Sequence, residues 1–83
     1  MQLTIHNMDD NTATHISGEA RSIERVCRMF DNGAKHGTKF HLTITYGSIV
    51  ACSLANAYAM PDTTSDSLVA RVQEFCRNHK VPM

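Results

Sequence analysis

Eighty-three residues suffice for one small domain and not for two, and at that size folding buries only about 60% of the surface the unfolded chain exposes, so the core is thin. Eight Lys and Arg balance eight Asp and Glu with no block of like charge, which argues against wholesale attraction to nucleic acid or an anionic membrane. No charged residue falls between Lys39 and Asp62, but His, Thr, Gly, Ser and Asn interrupt that stretch, and the twelve residues at 49–60 that follow its glycine corner are too short to span a bilayer as a helix; the opening MQLTIHNMDD lacks the basic and apolar regions of a secretory signal.

Leu3 and Ile5 alternate with Gln2, Thr4 and His6, the period-two signature of a half-buried strand. After the polar loop NMDDN, residues 12–16 (TATHI) alternate more weakly and read as the return strand of a hairpin. Ser17 stands where a helix N-cap belongs, and Glu19 suits the positive end of the helix dipole, so a helix is expected over about residues 18–31. Its inner face is Ala20, Ile23, Val26, Cys27 and Phe30, spaced at three and four. Asn32 and Gly33 are expected to end it in the left-handed conformation that glycine adopts without a Cβ penalty.

Phe40, Leu42, Ile44 and Tyr46 alternate with His41, Thr43 and Thr45, the strongest strand pattern in the chain. Gly47-Ser48 fits a two-residue type II′ turn, which makes residue 49 onward the returning strand. Beyond Pro61, Thr64 or Ser65 is the expected N-cap of a second helix whose inner face is Leu68, Val72, Phe75, Cys76 and His79. That helix ends near Asn78 or His79, ahead of Pro82.

The order is ββαββα. The expected fold is α+β, a single stand-alone domain over residues 1–83: a four-stranded antiparallel sheet with both helices on one face, because each amphipathic face needs a cover. If Gly47-Ser48 closes a two-residue hairpin, Tyr46 opposes Ile49, Ile44 opposes Ala51, Leu42 opposes Ser53 and Phe40 opposes Ala55 on the core side. His41, Thr43 and Thr45 then share the open face with Val50, Cys52 and Leu54, and a one-residue slip would exchange the two faces. Twelve extended residues reach roughly 40 Å, more than the ~30 Å width of such a domain, so the run bends near 55–57, turns helical, or pairs with another molecule.

The candidate sites are few. His6, His15 and His41 fall on the open face with Cys52, and imidazole and thiolate are zinc-ligand types, but their spacing matches no metal motif and solvated surface histidines are the simpler reading. Cys76 and His79 share a helical face that continues an apolar stripe, so packing accounts for them. Cys27, Cys52 and Cys76 are odd in number and scattered, a poor disulfide framework and a pointer to a reducing cytoplasm. No catalytic or phosphate-binding motif is present. His41, Thr43 and Cys52 are the first suspects for an enzyme whose site is shared between subunits.

Arg21, Arg25 and Arg28 form a stripe on the outer side of the first helix, where Glu24 can pair with Arg28. The expectation is a small non-enzymatic adaptor or inhibitor, of the size carried by phages and mobile elements, with no cofactor. It binds a protein partner, and itself as a homodimer, through Val50, Cys52, Leu54 and Tyr58. The alternative is a nucleic-acid-associated accessory protein that uses Arg21, Arg25 and Arg28.

Overall fold

The structure is a computed structural model that describes residues 1–35, 37–57 and 66–83. Its elements are β1 (Gln2–Asn7), β2 (Thr12–Ser17), α1 (Ala20–Gly33), β3 (Lys39–Tyr46), β4 (Ile49–Asn56) and α2 (Leu68–His79). The strands make one antiparallel sheet in the order β2-β1-β3-β4. The fold is α+β, with the expected ββαββα order.

Strand alternation decides which side is covered. Leu3, Ile5, Phe40, Leu42 and Ile44 point to one face, where they are buried together with Ala20, Ile23 and Cys27 of α1 and Leu68, Val72, Phe75 and Cys76 of α2. Both helices therefore cover the same face. Each large aliphatic or aromatic side chain so buried contributes about 1.5–3 kcal/mol, and Phe30 meets Phe40 edge to face with ring centroids 6.0 Å apart. The hairpin register is the expected one, Tyr46 opposite Ile49 through Phe40 opposite Ala55. Gly47 has φ 61° while Ser48 does not take a positive φ, as a type II′ turn requires. Opposite the bulky residues of β3 stand Ala51, Ser53 and Ala55, which gives α2 room to lie close to β4.

Contact with the start of β3 continues one residue past β4. Ala57 donates its N–H to the Thr38 carbonyl and accepts from Gly37, while the Asn56 N–H turns outward to the carbonyl of Asp66. Ala55 and Asn56 thus belong to the strand, and Tyr58 lies outside the described residues, as do Thr64 and Ser65.

Three expected helix ends are corrected. Ser17 is not an N-cap: it is the last residue of β2, opposite Gln2, because Met1 and Gly18 extend the β1–β2 ladder with mutual bonds of 3.0 Å. Glu19 caps α1 in extended conformation without a side-chain bond. At the other end α1 runs through Gly33 with no left-handed residue; Ala34 leaves extended while its N–H still bonds to the Phe30 carbonyl, so no positive φ is needed. The N-cap of α2 is Ser67 and not Thr64 or Ser65; its hydroxyl oxygen accepts from the Ala70 N–H at 3.1 Å. It ends, as expected, at His79, with Lys80 left-handed at φ 54°.

The first two amides of α2 are met from α1. Asp31, only 2% exposed, accepts the Leu68 N–H on Oδ1 and the Val69 N–H on Oδ2, each at 3.0 Å. With Ser67 taking the third, the amides of Leu68, Val69 and Ala70, which a helix leaves orphaned, all have partners. The bonds span 37 and 38 residues of sequence and fix the end of one helix to the start of the other.

Candidate interaction face

The register places three rows across the open side of the sheet. One runs Ala13, His6, His41, Leu54; the next His15, Thr4, Thr43, Cys52; the third Ser17, Gln2, Thr45, Val50. Val50 and Leu54 are 62% and 60% exposed, and Cys52 is exposed between them. A β-branched and a large aliphatic side chain with well over half their surface in water are an unfavourable feature for an isolated sheet face, and they sit on its edge strand.

The polar part of the face is tied up locally. His6 Nε2 donates to Asn11 Oδ1 at 2.8 Å, and Thr4 Oγ1 and His15 Nδ1 share a bond of 3.1 Å. Thr43 Oγ1 contacts Cys52 Sγ at 3.8 Å. The histidines do share the face with Cys52, but among the described residues no group of three or more His, Cys, Asp or Glu side chains is placed to hold a metal ion. Of the three residues suspected of shared-site catalysis, Thr43 stands beside Cys52 and His41 lies one row away, opposite Leu54.

Backbone polarity along β4 adds a second feature. In a two-residue hairpin the flanking pair, Tyr46 and Ile49, exchanges hydrogen bonds, so Ala51, Ser53 and Ala55 also bond inward to β3. The N–H and C=O of Val50, Cys52, Leu54 and Asn56 consequently point outward. Two of these groups are covered: the Leu54 carbonyl accepts from Arg71 Nε at 3.1 Å, and the Asn56 amide bonds to Asp66. Arg71 is itself fixed by Asp66 at 3.0 Å and Glu74 at 3.4 Å. Among the described residues, the outward groups of Val50 and Cys52 have no partner.

On the opposite side of the molecule Arg21, Arg25 and Arg28 are exposed along α1. Arg28 pairs with Glu24 at 2.8 Å, whereas Arg21 and Arg25 form no ion pair among the described residues. The stripe and the Val50–Leu54 patch therefore occupy different faces and do not make one site. His79 is exposed with its ring 4.6 Å from that of Phe75, and Cys76 is buried, a packing arrangement. Burial first, then the charge of Glu24, pushes the Cys76 thiol up. Burial pushes Cys27 up to about 12, with smaller contributions from Asp31 and Glu24.

Sequence reasoning missed the role of Asp31. The signal was an acidic residue in the last turn of a helix, where the dipole disfavours negative charge; such a residue needs another donor set. Burial raises its carboxyl, ahead of the downward pulls of the Val69 and Leu68 amides and of Arg28.

The architecture defines a small two-layer α+β domain with one sheet face that no described helix or strand covers. Neither a protein-family model, nor a curated protein, nor a solved structure matches this chain. No helix among the described residues is long and apolar enough to cross a membrane.

Proposed function

We propose that this protein is a non-enzymatic interaction module, an adaptor or inhibitor that binds another protein through the open face and outer edge of β4. The observation that carries the reading is the exposure of Val50 and Leu54 beside backbone groups of the same strand that have no partner among the described residues. Main-chain pairing along an edge supplies affinity, and alternate side chains on one face supply specificity. Three unbridged cysteines, two of them buried, support work in a reducing compartment such as the cytoplasm.

The test is affinity capture with the wild-type protein and with Val50→Glu and Leu54→Glu, each checked by far-UV circular dichroism for an intact fold. Loss of a specific bound protein from both variants is the expected result. An identical bound set from all three counts against the reading.

A second reading, contact with nucleic-acid phosphates through Arg21, Arg25 and Arg28, draws on the absence of ion-pair partners for Arg21 and Arg25 among the described residues. Phosphate contacts release counterions, so such binding weakens steeply with salt while an apolar interface does not. A salt titration of any complex, repeated with Arg25→Glu, separates the two.

A further inference from the structure

We propose that the outer edge of β4 pairs antiparallel with the same edge of a second copy of this chain, in a register that sets Val50 opposite Cys52 of the other copy about a two-fold axis at Ala51. The inference rests on the interaction-module reading of this strand and names its partner and geometry.

The unpaired outward groups fix the register. Antiparallel pairing about Ala51 lets the N–H and C=O of Val50 bond those of Cys52 in the second copy, and the reverse, so every free group of that segment finds a partner. Sliding two residues one way sets Cys52 against Cys52 and requires the Leu54 carbonyl, which Arg71 already occupies at 3.1 Å. Sliding the other way sets Cys52 against Ser48, inside the turn. The segment 49–53 carries no charge and no proline, the usual blocks to edge pairing.

The second edge of the sheet is a poorer candidate. The mutual bonds of Met1 and Gly18 set the β1–β2 phase, so the outward groups of β2 belong to Ala13, His15 and Ser17. Their side chains offer little apolar surface. Pairing at β4 instead places Val50 directly across from Cys52 of the second copy and diagonal to its Val50 and Leu54, which shields the outer flank of the apolar stripe in both copies while the face above it stays open. A five-residue edge with this stripe falls below the ~1,200 Å² of a standard stable interface, so the dimer is weak and concentration-dependent.

Sedimentation velocity across a concentration series and oxidative cross-linking test the proposal together. The wild-type mass is expected to rise from one chain to two as concentration increases, and Val50→Lys is expected to remain a single chain with an unchanged circular dichroism spectrum. Under copper–phenanthroline oxidation, Val50→Cys is expected to form a disulfide dimer with native Cys52, because directly opposed residues lie about 5.5 Å apart at Cα, within bridging range. Wild type is expected to cross-link far more slowly, since its two Cys52 residues are diagonal, about 7–8 Å apart. A single-chain mass for wild type up to millimolar concentration overturns the proposal, and so does cross-linking of wild type as fast as Val50→Cys. A monomer that still loses a bound protein on Leu54→Glu removes the second copy but leaves the interaction-module reading in place.

Discussion

Asp31→Ala is the substitution whose effect the structure specifies best. It deletes both acceptors of the Leu68 and Val69 amides, each at 3.0 Å, from a site where the carboxylate is almost wholly buried. An orphaned buried N–H costs about 1–3 kcal/mol. Leu68 is fully buried and bears that cost, whereas Val69 is half-buried and lines a cleft of ≈ 280 Å³ through which water can reach its amide. Alanine returns about 0.5 kcal/mol through its better helix propensity in α1, which leaves a net loss of about 0.5–2.5 kcal/mol at neutral pH. Against a total on the order of 4–12 kcal/mol for a domain of this length, the loss is large. In urea, with a slope of about 1–3 kcal/mol per molar, a central loss of about 1.5 kcal/mol should lower the midpoint by roughly 0.5–1.5 M.

The pH dependence has a definite sign. Burial raises the Asp31 carboxyl above its ordinary 3.8, so the folded chain holds that proton more tightly than the unfolded chain does. The stability contributed is then complete below about 3.8 and declines as pH rises through the folded value. The deficit of Asp31→Ala should accordingly be larger at pH 3 than at pH 7. A midpoint within 0.3 M of wild type, as an approximate threshold for about 0.5 kcal/mol, would refute the bridging role. A deficit that grows with pH would show that the amide bonds outweigh burial.

At pH 8, DTNB should titrate one thiol of the native protein promptly, that of exposed Cys52, and reach Cys27 and Cys76 only after denaturation, because burial both shields these two and holds them protonated; two fast thiols in the native state would contradict this. Gly47→Ala should lower stability by about 1 kcal/mol because φ 61° is the left-handed region, while Gly33→Ala, inside α1 with no neighbour within 4 Å of an added Cβ, should be neutral or stabilising by up to about 1 kcal/mol. Thermal melts of the pair decide it, and equal effects would speak against the turn assignment.

The amino-acid order by itself determined the elements and the sidedness of the sheet, since both depend on short-range periodicity. Phe40, Leu42 and Ile44 alternate over a half-buried surface, and a glycine that tolerates positive φ sits at the one corner that sets the register. From those two facts alone Val50, Cys52 and Leu54 turn outward. Helix ends were less legible. Ser17 has the right chemistry for a cap, yet Met1, bonded to Gly18 seventeen residues away, draws that segment into the ladder. Gly33 resembles a helix terminator, yet the extended exit at Ala34 makes a left-handed residue unnecessary. Only the tertiary structure decided the long-range polar contacts: Asp31 meeting the first amides of α2, and Arg71 closing part of the β4 edge at Leu54. A local pattern carries no information about such partners, because a carboxylate or guanidinium is satisfied by whichever donor or acceptor the fold brings to it, and that depends on how the layers pack.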